Sequence, residues 1–145
     1  MSKVKYVTIV IDGNPVAKGR PRLTTRGGYA HAYTPVKTRT YEEQVASAGK
    51  NAMEKLVALE GAIAVEIAAY MPIPKSLSKK DRAAMLSGEI QHTKKPDFDN
   101  LAKVIDGLNG IAWVDDCQIV DAHVSKKYSD NPRLEVTVFH FNPFD

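Results

Sequence analysis

The feature that most constrains this chain is a concentration of acidic residues around one short amphipathic segment, between residues 94 and 120. Five aspartates lie there in a chain of net charge +3, namely Asp97, Asp99, Asp106, Asp115 and Asp116. Carboxylates gathered in one place repel each other, so a fold that keeps such a cluster usually holds a positive charge among them. We therefore predict a divalent metal ion beside this segment.

The first two acids alternate with an aromatic residue, as Asp97, Phe98 and Asp99. In an extended segment successive side chains point to opposite faces, so both acids would share one face and Phe98 would lie on the apolar one. Asp99 or Asn100 is then the expected N-cap of the helix that follows. This arrangement predicts one acidic face at the start of that helix.

The helix itself is indicated by apolar residues at the i, i+3, i+4, i+7 spacing of a stripe packed on a core. They are Leu101, Val104, Ile105 and Leu108. Lys103 lies one turn after Asp99, so it could orient a carboxylate, contact a phosphate, or form only an ordinary surface pair. Beyond the helix, residues 111–114 suggest a short return into a strand. Only one of Asp115 and Asp116 should then face the other acids.

These motifs, with two more near the N-terminus, resemble the signature of the RusA-type Holliday junction resolvases. The similar stretches are residues 97–110 (DFDNLAKVIDGLNG), 113–119 (WVDDCQI), 13–22 (GNPVAKGRPR) and 32–35 (AYTP), followed by Tyr41 and Glu42. The resemblance therefore spans nearly the whole chain. Gly107 stands where that family more usually has alanine, and Cys117 fills a small-residue position before Gln118.

The resemblance implies a homodimeric, Mg²⁺-dependent enzyme, with Mn²⁺ as a substitute, that cuts four-way DNA junctions in phage or prophage recombination and in DNA repair. By motif position, Asp97, Asp99 and Asp116 match the family's metal ligands, and these three together with Lys103 form the expected catalytic set. Asp115 matches the first acid of the pair, an accessory residue of undefined role.

The charge distribution is consistent with a nucleic-acid partner. Residues 1–50 hold nine Lys or Arg against three acids, which gives +6, whereas residues 51–145 hold eleven against fourteen, which gives −3. A nuclease needs cations for backbone phosphates and acids for a metal, although a solvated surface of uneven sign would show the same imbalance. The predicted DNA-binding residues are Lys18, Arg20, Arg22, Arg26, Lys37, Arg39, Lys94 and Lys95.

The remaining periodicities predict a single α+β domain over residues 1–145, with a small mixed sheet of about five strands and about three helices. Asp12 to Pro15 has the composition of a hairpin turn, and residues 18–28 that of a mobile cationic loop. A helix of about 24 residues should begin after Pro35 and end near Gly61. The strands are expected at residues 3–11, 62–71, 111–114, 118–125 and 134–140, a short helix at 78–86, and a polar turn at 126–132.

Several classes of protein are disfavoured. The chain has no apolar run long enough for a membrane span, and its one cysteine excludes a disulfide framework and favours a cytoplasmic setting. An EF-hand counted from Asp97 fails because Ala102 falls where glycine is required. A metal-dependent glycosyltransferase is disfavoured because the chain has no recognisable nucleotide-sugar domain. The alternatives left are a junction-binding protein without cleavage, and acids that only cap and solubilise a helix; the roles of His31 and Glu66 stay open.

Overall fold

The structure, a computed structural model, describes residues 6–19 and 22–141. Residues 3–5, the start of the predicted strand 3–11, lie outside the described residues, and so does the predicted DNA-binding residue Arg20. The elements, in chain order, are β1 (Tyr6–Asp12), β2 (Arg22–Thr24), β3 (His31–Tyr33), α1 (Val36–Ala52), β4 (Ile63–Pro72), α2 (Lys79–Ser87), α3 (Phe98–Ala102), β5 (Ile119–Ser129) and β6 (Arg133–His140). Two 3₁₀ helices, Lys103–Leu108 and Asp116–Gln118, flank the turn before β5.

Four strands form one mixed sheet in the order β1-β6-β4-β5, which confirms the predicted α+β class. β6 runs antiparallel to both β1 and β4, whereas β4 and β5 are parallel. The short strands β2 and β3 pair with each other in a separate hairpin. The N-terminal strand β1 thus lies next to the C-terminal strand β6, and β6 separates it from β4.

The core lies on one face of the sheet because three strands alternate apolar and polar residues. Ile9 of β1, Val136 of β6 and Ile67 of β4 are buried at the same register position across the sheet. Helix α1 and the 3₁₀ helix Lys103–Leu108 cover this face and contact each other. Each such aliphatic side chain contributes about 1.5 to 3 kcal/mol when fully buried, so this face fixes how the strands are arranged.

The predicted hairpin at Asp12 to Pro15 is wrong. The chain does turn there, but β1 pairs with β6 rather than with the next segment. Residues 15–19 contain a proline and a glycine and have no apolar alternation, so they cannot extend a sheet. They cross instead to α3, where the backbone N–H of Lys18 donates to the carbonyl of Asn100 at 3.0 Å.

The long helix is shorter than predicted, since α1 ends at Ala52 after 17 residues. Beyond it the apolar spacing continues through Leu56 and Leu59, but Leu56 is exposed and Leu59 is bonded to a different part of the chain. The backbone N–H of Leu59 donates to the carbonyl of Ala112 at 2.8 Å. The chain must leave the helix axis early to make this contact, which lies beside the turn that replaces the predicted strand 111–114.

Strand β5 is longer than predicted, because it runs from Ile119 through to Ser129. The residues assigned to a polar turn, from Lys126 onward, therefore continue the strand and pair with β4, with Lys126 opposite Ala69. Polar residues are tolerated there because β5 is an edge strand that the core covers only in part. No helix within the described residues is long and apolar enough to cross a membrane.

A first prediction concerns Gly107, which lies where the 3₁₀ helix crosses α1. A Cβ at this position would meet the backbone carbonyl oxygen of Glu42 at 2.8 Å. We expect Gly107→Ala to lower the free energy of unfolding by about 1 to 3 kcal/mol, because α1 must move away. Urea unfolding measures this, with Ser47→Ala on the exposed side of α1 as a control expected to change stability by less than about 0.5 kcal/mol. Equal stability of the two variants would show that α1 and the 3₁₀ helix do not pack closely at Gly107.

Candidate metal centre and nucleic-acid cleft

The first pair of acids lies at the start of α3, but not as the sequence predicts. Asp97 is extended and is itself the N-cap, in place of Asp99 or Asn100, and its side chain makes no capping hydrogen bond. Phe98 begins the helix and is 65% exposed, so the expected apolar face opposite the acids is wrong. Asp97 and Asp99 are both exposed at this helix start, where their carboxylates can reach a ligand from solvent.

The predicted stripe behind these acids is confirmed, with Leu101, Val104, Ile105 and Leu108 all buried. It is divided between α3 and the 3₁₀ helix Lys103–Leu108 rather than lying on one α-helix. Lys103 stands at the junction of the two and is exposed. The ion pairs found among the described residues do not include Lys103, so the i, i+4 pair with Asp99 is not formed in this structure.

The second pair of acids begins the 3₁₀ helix before β5. Asp115 caps this helix reciprocally with Gln118: its carboxylate accepts from the Gln118 backbone, and the Gln118 side chain accepts from the Asp115 N–H at 2.8 Å. The Gln118 amide also donates to the carbonyls of Leu59 and Gly61, each at 2.9 Å. Asp115 is therefore committed to local structure, and Asp116 is placed by a turn that Gln118 fixes to the rest of the fold.

Asp116 carries excess negative charge around it. Neighbouring atoms that displace part of its hydration, and then the charges of Asp106 and Asp115, raise the pKa of its carboxyl above the ordinary aspartate value. The pKa of Asp115, in contrast, is lowered, mainly by a hydrogen bond from the Cys117 thiol. A cation beside Asp116 would relieve this repulsion, so the electrostatics here favour a bound positive ion.

Lys18 contributes one internal cation to this region, through contacts that no motif or spacing predicted. Its ammonium lies 3.1 Å from Oδ2 of Asp106 and 3.4 Å from Oε1 of Glu42. Burial acts to lower the pKa of Lys18, but the two carboxylates outweigh it and raise the pKa. Lys18 was predicted to lie in a mobile cationic loop, whereas the structure ties it to α1 and to the 3₁₀ helix.

The described residues contain no group of three or more acidic, histidine or cysteine side chains close enough together to hold one metal ion. Asp116 interacts with Asp106 and with Asp115, whereas Asp97 and Asp99 lie at the start of α3. The assignment of Asp97, Asp99 and Asp116 as a single ligand set thus stays a prediction. The donor chemistry fits a hard divalent cation, since every ligand in this set is a carboxylate oxygen.

Several predicted DNA-binding residues line a cleft that Asp97 also lines. The cleft has a volume of about 710 Å³, and Asn100 and Thr38 belong to its walls. Its basic residues are Lys18, Arg22, Lys37 and Lys95. Lysine and arginine lining a groove provide the sequence-independent contacts that backbone phosphates require.

The other predicted residues lie apart from this cleft. Arg26 is in the turn between β2 and β3, and Arg39 is exposed on α1. His31 belongs to β3, where its ring lies 5.5 Å from that of Tyr29. Glu66 is on the opposite face of the sheet from the core, at register positions shared with His123 and Thr137, so it is remote from the acids of α3.

Comparison with known proteins gives two findings. The family model for endodeoxyribonuclease RusA matches residues 12–139, most of the chain. The chain is also 37% identical over 135 residues to the uncharacterized protein YqaN of Bacillus subtilis (strain 168), an alignment that covers 91% of this chain and 94% of that protein.

A second prediction follows from the raised pKa of Asp116. This carboxyl stabilises the fold only below its unfolded pKa, and that contribution is lost as the pH rises through the higher folded value. We expect its titration, followed by the ¹³C shift of the carboxyl carbon, to move to lower pH when Mg²⁺ is added, because a cation favours the carboxylate. Asp106→Asn should also lower the pKa of Asp116, since it removes a neighbouring charge. A midpoint that is the same with and without Mg²⁺ would argue against a cation at this position.

Proposed function

Because the chain belongs to the RusA endodeoxyribonuclease family, we propose that it is a metal-dependent, structure-selective nuclease that resolves four-way (Holliday) junctions by paired symmetric nicks in DNA recombination and repair. The observation that carries this proposal is that Arg22, Lys37 and Lys95 line the same cleft as Asp97. Cations in such a cleft hold a DNA backbone, while a carboxylate among them suits the metal-assisted hydrolysis of a phosphodiester.

In this proposal Asp97, Asp99 and Asp116 hold Mg²⁺, with Mn²⁺ as a substitute, through their carboxylate oxygens. One or two such ions would supply activation of a water molecule and stabilisation of the leaving 3′ oxygen. Two observations support the assignment: Asp97 makes no capping hydrogen bond, and Asp116 lies among negative charges that a cation would offset. Asp115 serves as an accessory residue that holds the turn carrying Asp116.

Lys103 has a separate role, as the cation that offsets the negative charge growing on the phosphate during cleavage. Its exposure and its position directly after α3 support this role, because the ammonium could approach a phosphate held near the start of α3 by the proposed metal ion. Lys37 and Lys95 contact backbone phosphates on the walls of the cleft. Such contacts give affinity and orientation without direct reading of the bases, as expected for an enzyme that recognises branched shape.

We further propose a homodimer, since a four-way junction that is cut symmetrically needs two matched active sites. A C₂ dimer presents two identical sites related by the same axis as the junction. The number of cuts made in one encounter tests this: on a supercoiled plasmid with an extruded cruciform, paired cuts give linear DNA, whereas independent cuts give mostly nicked circles.

A third prediction concerns cleavage in Mg²⁺ of a mobile four-way junction, with a linear duplex as the control substrate. We expect symmetric nicks on the junction only. Asp116→Asn should reduce the cleavage rate by at least about a hundredfold while the dissociation constant for the junction changes little, because the amide keeps the shape and loses the charge of a metal ligand.

The control is Asp121→Asn, which makes the same change of charge at an exposed position of β5. It should cut at nearly the wild-type rate. If the wild type binds junctions of varied core sequence but cuts none of them in Mg²⁺ or Mn²⁺, the protein is a non-catalytic junction-binding protein, and the nuclease proposal fails.

A fourth prediction concerns the cleft. Lys95→Ala should weaken junction binding to a similar extent for different sequences, and it should reduce the slope of log K against log salt concentration by about 1, because one phosphate contact is lost. Lys79→Ala, an exposed position on α2 that is not part of the cleft, is the matched control. The same slope for both variants would place the DNA path elsewhere.

A further inference from the structure

Lys126 makes two hydrogen bonds to the segment that leads into the acidic site. Its ammonium donates to the carbonyl of Lys94 at 2.9 Å and to the carbonyl of Pro96 at 3.1 Å. Asp97 follows immediately as the N-cap of α3. One side chain of β5 is thus bonded on both sides of Lys95, directly before the first predicted metal ligand.

A second contact holds the same segment two residues upstream. The ring of His92 meets that of Tyr128 edge-on, with their centroids 5.0 Å apart. Tyr128 and Lys126 lie on the same face of β5, two positions apart, and both are at least partly covered. Burial, followed by the charges of Lys126 and Lys94, lowers the pKa of His92, so this ring is neutral when it packs against Tyr128 near neutral pH.

The chemistry of the contact suits an ammonium group. Residues 91–97 belong to no helix or strand, and the backbone hydrogen bonds recorded for the described residues do not use the carbonyls of Lys94 and Pro96 as acceptors. A lysine has three donors and no acceptor, so one side chain can satisfy two carbonyls at once. Because the donor is charged, these hydrogen bonds are stronger than neutral ones.

We propose that Lys126 is a positioning residue, which fixes the segment 94–97 so that Lys95 faces the DNA cleft and Asp97 reaches the metal. It touches neither the metal nor the scissile phosphate in this scheme. The catalytic consequence rests on the proposed nuclease function, whereas the fixing of the segment does not. This distinguishes Lys126 from its neighbour Lys127, which is exposed and lies on the other face of β5.

The first test measures the segment directly, in the protein without DNA or metal. In Lys126→Met, which keeps the length of the side chain and removes its donors, the ¹⁵N order parameters of the Lys95 and Asp97 amides should fall from about 0.85 to below about 0.6. Lys127→Met, the same change on the opposite face, should leave them unchanged. Equal order parameters in the two variants would overturn the proposal. If Lys126→Met does not fold, Lys126→Gln carries the same test, since its amide is too short to reach both carbonyls.

The second test separates positioning from phosphate binding in single-turnover cleavage of the junction. Lys126→Met should lower the cleavage rate about tenfold or more, while the dissociation constant rises by no more than it does in Lys95→Ala, and Lys126→Arg should recover part of the rate because it keeps charged donors. A weaker dissociation constant and a reduced salt slope, with unchanged order parameters, would make Lys126 a phosphate contact instead. A wild type that does not cut would refute the nuclease proposal, while the order parameters would still decide whether Lys126 fixes the segment.

Discussion

Burial of one apolar stripe fixes where the acids can lie. Leu101, Val104, Ile105 and Leu108 are buried against α1 and the sheet, and the residues between them must face outward. Lys103 and Asp106 occupy those outward positions, and Asp99 lies on the exposed turn just before them, so the polar side of this segment is a consequence of its packing. The approach is close because Gly107 has no Cβ to meet the backbone of α1. The placement of the acids therefore depends on the core more than on any contact among the acids themselves.

The periodicities in the sequence predicted what is buried better than which segments meet. The stripe 101–108, strand β4 and strand β6 follow directly from apolar spacing, because the burial of a face is a local property of each element. The partner of β1 does not, since β6 lies more than a hundred residues away along the chain. The length of α1 was overestimated for a related reason: Leu56 and Leu59 continue its pattern, but a contact of Leu59 with Ala112 draws the chain away. Phe98 shows the limit of the alternation rule, which holds only if the segment is extended.

The sequence predicted the acidic residues of the candidate site better than it predicted the roles of the lysines. The acidic cluster is visible in the sequence, as its members lie within about twenty positions. The roles of the lysines are not, since each depends on an acceptor brought near by the fold. Lys18 meets Asp106 across 88 residues, and Lys126 meets the carbonyl of Lys94 across 32. A basic residue beside a loop therefore predicts a DNA contact and an internal tether equally well, and only the folded structure distinguishes them.

The contacts of Lys18 also show how charge is distributed around the acids. Lys18 offsets Asp106 and Glu42, and its backbone N–H is bonded to Asn100, so the ammonium cannot move to a phosphate without giving up these partners. Asp115 is stabilised within its own capping box. Asp116 makes none of the ion pairs found among the described residues, and displaced hydration, followed by the charges of Asp106 and Asp115, raises the pKa of its carboxyl. Lys18 thus reduces the charge of the cluster without cancelling it, and the surroundings of Asp116 would favour a positive ion placed beside its carboxylate.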